Sequence, residues 1–192
     1  MRSMSKQVMA TWWVSMALVV MTIAAPAQAD DDNPVFELVD AAAQRLQTAE
    51  PVAATKWRTH DPIEDPQRVQ QVLTAVSADA ASRGIDPDDV SRIFTDQISA
   101  TEAIEYTRFA QWKFDPASAP VAPPDLSASR ATIDRLNKVM VEQLAVVRPL
   151  LHSLDCASRV DDARSAVVDA RGLDPLYQQA LSFVTRSYCS SE

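Results

Sequence analysis

Only two glycines occur in the 192 residues, and both stand at the same kind of position. In "SRGIDPDDV" and "ARGLDPLYQ" a basic residue precedes the glycine, and an Asp-Pro pair follows two positions later. A glycine just past a helix, and Asp-Pro at the next start, are the usual end and start signals of α-helices. A third Asp-Pro start stands at Asp65, and no strand-like alternation or hairpin turn competes with it. The sequence therefore predicts an all-α fold.

These signals, together with the helical period of the apolar residues, predict a single six-helix domain. The predicted helices span residues 34–57, 66–83, 87–113, 127–153, 155–171 and 175–189. Pro51 lies inside the first of them and should kink it or force a local break. Residues 114–126 contain four prolines and predict an extended connection over the surface, followed by a C-terminal helical extension over residues 127–192.

The first 29 residues have the pattern of a secretory signal peptide. Arg2 and Lys6 give a basic start, an uncharged apolar run covers residues 8–25, and Ala27-Gln28-Ala29 forms a small-residue cleavage site. A membrane anchor is the alternative, but the acidic "DDDNP" after "APAQA" favours cleavage after Ala29 over a continuing span. We therefore expect residues 30–192 to be secreted, to the periplasm, the cell wall or the medium, with no membrane contact after cleavage.

The net charge excludes some classes of partner, and the two cysteines bear on the compartment. Removal of the signal peptide takes away two of the 18 basic residues and none of the 26 acidic ones, so the mature domain has a net charge of −10. This acidity argues against nucleic acid and anionic membrane surfaces as partners. An export signal would deliver Cys156 and Cys189 to an oxidising compartment, where we predict that they pair; two free buried thiols are the alternative.

Glu105 and Thr101 stand on an apolar stripe of the predicted helix 87–113. At about 100° per residue they share a face with Phe94, Ile98 and Trp112. Burial of an unpaired carboxylate is very costly, so Glu105 should meet a partner inside the protein. For Thr101 the simpler alternative is a hydroxyl that bonds back to the carbonyl one turn earlier.

Three cations are placed just as unexpectedly. Arg45 stands on the buried stripe of the first helix, Lys56 lies in the apolar stretch "VAATKWR", and Arg68 stands one turn into the second helix, where the helix dipole favours an acid. An arginine that snorkels to the edge and a surface lysine are the simpler interpretations. Asp65 needs no more than its role as an N-cap.

The combination favours a pocket for a small anion, most simply a carboxylate compound held by guanidinium groups. His60 and His152 have no Cys or His at ligand spacing, so a metal site is not predicted. No nucleophile arrangement or phosphate-binding glycine loop indicates covalent or nucleotide chemistry.

Six of these positions resemble the all-helical chorismate mutase family. The signature segments are "VAATKWRTHDPIEDPQRVQQVL" and "IDPDDVSRIFTDQISATEAIEYTRFAQWK", and the six residues are Arg45, Lys56, Asp65, Arg68, Thr101 and Glu105. The export signal, the long C-terminal part, the two cysteines, "ATEAIEY" and "PPDLSASR" resemble the secreted subclass of mycobacteria and related bacteria. The resemblance extends over essentially the whole mature chain.

The resemblance implies rearrangement of chorismate to prephenate, on the route to phenylalanine and tyrosine, with no metal or organic cofactor. Arg45 and Arg68 would bind the two carboxylates with help from Thr101. Lys56 and Glu105 would approach the ether oxygen, where negative charge develops as the C–O bond breaks. The position matching Asp65 lies near the ring hydroxyl. A homodimer is also implied.

Three departures from the family pattern change these expectations. Cytosolic members take an arginine from the partner's first helix, but "DDDNPVFELVDAAAQ" contains no basic residue; Arg130 is the family-supported replacement, and it would complete the site within one chain. Val69 replaces a glutamate that binds the ring hydroxyl in many members. Glu105 replaces a glutamine, and a carboxyl group donates a hydrogen bond only when protonated, so we expect burial to raise the pKa of Glu105 against the opposing effect of Lys56.

Two other functions fit the same pattern. Isochorismate pyruvate lyase uses the same helical fold and similar cations. A secreted helical binding or host-interaction protein could keep the fold without catalysis, but inward charges that destabilise the fold have no purpose in such a protein.

Overall fold

The computed structural model describes residues 33–122 and 125–189, and within these ranges it is helical without strands, as predicted. The predicted signal peptide, residues 1–29, lies outside the described residues, as do Pro123 and Pro124 of the predicted connection. None of the helices in the described ranges is long and apolar enough to cross a membrane.

All six predicted helices are present, and the first is divided in two. The helices are α1 Phe36–Gln47, α2 Ala49–Thr59, α3 Pro66–Ser82, α4 Pro87–Phe114, α5 Leu126–Leu151, α6 Cys156–Arg171 and α7 Pro175–Thr185. A short 3-10 helix, Pro116–Ser118, lies within the connection that the prolines predict to be extended.

The predicted break in the first helix falls at Thr48, three residues before Pro51. Pro51 instead occupies the first turn of α2, where a backbone N–H would have no partner within the helix and proline is tolerated. The Thr48 hydroxyl donates to the Arg45 carbonyl oxygen at 2.6 Å, which satisfies one carbonyl at the end of α1. The proline therefore sets where the second helix can begin.

The glycine and Asp-Pro signals work as the sequence indicates. Gly84 and Gly172 have φ values of +70° and +56°, the left-handed region in which glycine is favoured at helix ends. The three aspartates that the sequence predicted at helix starts all cap the following helix with their side chains; they are Asp65, Asp86 and Asp174. His60 ends α2 in the same left-handed region, at φ 60°. No glycine stands there, so the sequence did not predict this left-handed turn.

Helix α1 lies at the centre of the fold. It packs against α4, α5, α6 and α7, and seven of its 12 residues are buried. A helix covered on several sides is expected to be apolar around most of its circumference. Arg45 is the one charged residue among these seven, and its position in the central helix places its guanidinium inside the protein.

A disulfide joins Cys156, the first residue of α6, to Cys189, beyond the end of α7. The predicted pairing is confirmed, and the alternative of two free thiols is wrong. The bond links positions 33 residues apart, so it holds the last two helices of the chain together.

Removal of this disulfide should lower stability strongly. In the chain-entropy model, a loop of this length stabilises the fold by about 4 kcal/mol, which corresponds to a fall of about 10 °C in Tm for a domain of this size. We expect this fall in the Cys156→Ala/Cys189→Ala variant, measured by thermal unfolding followed by circular dichroism. Reduced wild-type protein should unfold at the same temperature as the variant, and an unchanged Tm in both would contradict the prediction.

Candidate active site

One pocket brings together all seven residues that the sequence singles out. These seven residues come from five helices and one loop: Arg45 of α1, Lys56 of α2, Asp65 before α3, Arg68 of α3, Thr101 and Glu105 of α4, and Arg130 of α5. The empty space, including the open mouth, is about 630 Å³. The first and last of these residues are 85 positions apart in sequence, so only the packing of the helices creates the site.

Arg45 is buried at the base of the pocket, with an exposed fraction of 4%. Its Nε donates to Asn137 Oδ1 at 2.8 Å, and its Nη1 donates to Gln97 Oε1 at 3.4 Å and to Thr101 Oγ1 at 3.3 Å. The interpretation as a snorkelling arginine is therefore wrong. Burial and the nearby charge of Arg68 lower the pKa of Arg45 to about 10, which still leaves it charged at neutral pH.

Thr101 combines both of the roles that the sequence allows. Its hydroxyl donates to the Gln97 carbonyl oxygen at 2.7 Å, the local bond expected of a threonine within a helix. The same oxygen accepts from Arg45. The hydroxyl is thus fixed in orientation at the edge of the guanidinium.

Lys56 and Glu105 form a buried ion pair across the pocket. Lys56 Nζ lies 2.9 Å from Glu105 Oε2, and the two side chains have exposed fractions of 12% and 3%. Lys56 Nζ also donates to the Ile63 carbonyl oxygen at 2.5 Å. This second bond comes from the loop after His60, so the left-handed turn at the end of α2 helps to hold the ammonium group in place. The surface-lysine alternative is wrong.

Burial raises the pKa of Glu105 to about 7, while the charge of Lys56 and its hydrogen bond oppose the rise. The carboxyl group therefore changes protonation state near neutral pH. In its neutral form Glu105 carries a proton that it can donate. The pKa shift predicted from the apolar stripe is present, and it has the predicted cause.

The mouth of the pocket carries two further arginines, each paired with an aspartate. Arg68 forms an ion pair with Asp134 of α5, which offsets its unfavourable position near the start of α3. Asp65 caps α3 by accepting from the Arg68 N–H at 3.0 Å, and its other oxygen accepts from Arg130 Nη2 at 3.1 Å. Arg130 of α5, which the resemblance to the family suggested, thus lines the pocket together with the other six residues of the same chain.

Four polar residues of this region were not predicted from the sequence: Gln97, Glu102, Asp134 and Asn137. Gln97 and Asn137 bind Arg45 and are buried. The helical periodicity of α4 and α5 could have revealed Gln97 and Asn137, because each is a polar residue on an apolar stripe, as Glu105 is. Asp134 and Glu102 are at least partly exposed, so no periodicity distinguishes them from ordinary surface acids.

Apolar side chains form the remaining walls: Val52, Ile63, Val69, Val72, Ile98, Leu126 and Ile133. These walls lower the local dielectric constant, which strengthens each interaction between a cation and a bound anion. Arg45 and Arg68 repel each other in this environment. A ligand with two carboxylates and an apolar ring would relieve the repulsion and fill the walls.

Comparison with known proteins identifies the family to which this chain belongs. Residues 36–106, from α1 into α4, match the family described as chorismate mutase type II. A secreted chorismate mutase of Mycolicibacterium smegmatis is 55% identical over 163 residues, which cover 85% of this chain and 90% of the relative. The chain belongs to the secreted chorismate mutase family.

Other chorismate mutases support this membership. The secreted chorismate mutase of Mycobacterium tuberculosis is 52% identical over 178 residues, covering 90% of this chain and 89% of the relative. A crystal structure of chorismate mutase from Burkholderia thailandensis superposes with a TM-score of 0.78 at 34% identity, covering 82% of this chain and all of that one. The range matched by the family model contains six of the seven pocket residues, and Arg130 lies beyond it.

Proposed function

We propose that this secreted chorismate mutase converts chorismate to prephenate in the pocket lined by the seven residues. The observation that carries the proposal is the Lys56–Glu105 pair at 2.9 Å, which lines the same partly apolar pocket as the guanidinium groups of Arg45 and Arg68. Such an arrangement suits a substrate with two carboxylates, an apolar ring and one oxygen that becomes negative during the reaction.

Arg45 and Arg68 would bind the two carboxylates of chorismate. Guanidinium groups match the planar geometry of a carboxylate, and the hydrogen bonds to Asn137, Gln97 and Thr101 already fix the orientation of Arg45. A bound dianion also neutralises the repulsion between the two arginines. Binding therefore folds the substrate so that its enolpyruvyl arm lies over the ring, which brings the two reacting carbons together.

Lys56 and protonated Glu105 would donate hydrogen bonds to the ether oxygen. In the rearrangement the C–O bond breaks as the new C–C bond forms, and negative charge develops on this oxygen. Donors that are held in place before the reaction stabilise this charge without reorganisation during the step. No proton has to be transferred to the substrate, so the role of Glu105 is to donate a hydrogen bond.

Arg130 should contribute to substrate binding within its own chain. The Arg130→Ala variant is expected to lose about tenfold to a hundredfold in kcat/KM, because a hydrogen bond to a charged group contributes about 1.5–3 kcal/mol. Steady-state kinetics with chorismate measure this loss. Arg135→Ala is the matched control, since it removes an exposed guanidinium of the same helix outside the pocket lining.

Mixing of variants tests whether the site lies within one chain. We propose a homodimer in which each site is formed by one chain. A mixture of Arg45→Ala and Arg130→Ala, refolded together, should then have only the summed activities of the two variants. Recovery of more activity in the mixture would place Arg130 in the partner's site and contradict the proposal.

The function itself is tested with purified residues 30–192, the proposed mature domain after cleavage at Ala29. Disappearance of chorismate with formation of prephenate would support the mutase, and mass spectrometry of the exported protein would locate the cleavage site. Release of pyruvate from isochorismate, without turnover of chorismate, would identify a lyase instead. Binding of chorismate without turnover of either compound would identify a non-catalytic binding protein.

A further inference from the structure

We propose that Tyr188, beyond the end of α7, is a positioning residue for the reaction: its hydroxyl orients the amide of Gln97, which in turn orients the guanidinium of Arg45. The disulfide beside Tyr188 holds this residue in place. The inference rests on the function proposed above, in which Arg45 binds a carboxylate of the substrate. Tyr188 does not line the pocket, so it acts only through the residues between.

Tyr188 is buried within reach of the base of the pocket. Its exposed fraction is 2%, and that of Gln97 is 0%. Burial raises the pKa of the Tyr188 hydroxyl, and a hydrogen bond from Gln97 and the charge of Arg45 oppose the rise. The three side chains are therefore close enough to act on one another.

The amide of Gln97 can serve Arg45 in only one of its two orientations. A guanidinium has donors but no acceptor, so the amide oxygen must face it. Gln97 Oε1 accordingly accepts from Arg45 Nη1 at 3.4 Å. The amide nitrogen then points away from Arg45 and needs an acceptor of its own.

The Tyr188 oxygen supplies this acceptor. Within residues 33–122 and 125–189, neither Gln97 Nε2 nor the Tyr188 hydroxyl has any other hydrogen-bond partner. The contact between the two groups lies outside regular hydrogen-bond geometry, but it lowers the pKa of Tyr188 as a bond donated by the amide does. Each group is therefore the only described protein partner that the other has.

Loss of the Tyr188 hydroxyl would leave the Gln97 amide free to turn over. In the reversed orientation the amide NH₂ group would face the guanidinium, donor against donor. Arg45 would then keep its bonds to Asn137 and Thr101 alone, and its Nη1 would have one acceptor instead of two. A guanidinium that is less firmly held before binding gives weaker binding of a carboxylate.

The disulfide keeps Tyr188 in this position. Tyr188 directly precedes Cys189, which is bonded to Cys156 at the start of α6. A short segment that leaves a helix is poorly ordered unless other parts of the fold tie it down. Here the Tyr188 N–H donates to the Thr185 carbonyl oxygen at 3.2 Å, and the disulfide fixes the following residue. The bond that joins the last two helices thereby also supports the site.

The test is steady-state kinetics with chorismate for Tyr188→Phe, which removes the hydroxyl and keeps the buried ring. Arg45 would bind the same carboxylate in the substrate and in the transition state, so loss of its orientation raises KM and leaves kcat nearly unchanged. KM is expected to rise about threefold to tenfold, as for the loss of one neutral hydrogen bond. A merely structural role would lower Tm and the active fraction, and hence kcat, without changing KM.

A second variant shows whether Tyr188 acts through Gln97. Gln97→Met replaces the amide by an apolar side chain of similar size and should raise KM at least as much as Tyr188→Phe. In the double variant KM should equal that of Gln97→Met, because the hydroxyl has no amide left to orient. Tyr177→Phe is the matched control: it removes another buried tyrosine hydroxyl, in α7 and outside the pocket lining, and should leave KM unchanged.

The disulfide is tested in the same assay. Cys156→Ala/Cys189→Ala, measured well below its Tm, should raise KM about as much as Tyr188→Phe, and the two changes together should raise it no further. Three results would overturn the assignment: an unchanged KM in Tyr188→Phe, full additivity of Tyr188→Phe with Gln97→Met, or an unchanged KM without the disulfide.

Calorimetric titration with chorismate separates this inference from the proposed function. Wild-type protein that binds chorismate without turnover would refute the proposed function. In that case a Kd that is threefold to tenfold higher in Tyr188→Phe would still support the positioning role, and an equal Kd would refute it. Absence of both binding and turnover in wild-type protein would refute the function and the inference together.

Discussion

Replacement of Lys56 by alanine should lower kcat for chorismate by about a thousandfold. Lys56 holds its ammonium group in place through Glu105 and the Ile63 carbonyl oxygen, and it points into the pocket where negative charge would develop. Loss of one preorganised donor to such a charge typically lowers kcat about a hundredfold to a thousandfold. The upper value is expected because the variant removes a full positive charge as well as a hydrogen-bond donor. Steady-state measurement of chorismate consumption gives the value.

Two further variants separate catalysis from folding. Lys113→Ala removes an exposed lysine of α4 and should leave kcat unchanged. Lys56→Gln keeps an uncharged donor of similar size, so it should fold as wild-type protein does and recover part of the lost activity. A kcat of Lys56→Ala within tenfold of wild type, with normal thermal unfolding, would exclude the proposed role of the ammonium group.

The second large effect is expected in the pH dependence. With the pKa of Glu105 at about 7, the carboxyl group is protonated below this value and ionised above it. Only the protonated form can donate to the ether oxygen, so kcat/KM should fall as pH rises through 7. At pH 9 the protonated fraction, and with it kcat/KM, should be about a hundredfold lower than at pH 6. Glu105→Gln has a permanent donor and should give a flat profile.

The neighbouring charged groups provide the controls for this profile. Lys56 and Glu102 are the charges that act on Glu105, the first lowering and the second raising its pKa. Glu102→Gln should therefore shift the fall in kcat/KM to slightly lower pH without removing it. If Glu105→Gln keeps the wild-type pH dependence, the titrating group is another one and the role of Glu105 as a donor is wrong.

Some features of the fold depend on local signals, and these could be predicted. The glycines at the ends of α3 and α6 and the aspartate caps of Asp65, Asp86 and Asp174 act within a few residues of their own position. Pro51 predicted a break in the first helix but not its exact place, because proline is tolerated anywhere in a first turn. The turn at His60 carried no signal, since a histidine adopts the left-handed region only when the surrounding structure holds it there.

For the site too, the sequence predicted some features and only the structure showed the others. Helical periodicity showed that Arg45 and Glu105 point inward, because a residue's own helix fixes its direction. Periodicity cannot show which group on another helix a side chain meets. Arg45 binds Asn137 at a separation of 92 residues, and Asp65 binds Arg130 at a separation of 65.

The sequence by itself determined the helices, their boundaries to within a few residues, and the inward direction of the charged side chains. Only the tertiary structure decided how these charges are paired with groups on other helices. The physical reason is range: helix caps and periodicity act over one or two turns, whereas ion pairs such as Lys56–Glu105 depend on the packing of whole helices against one another.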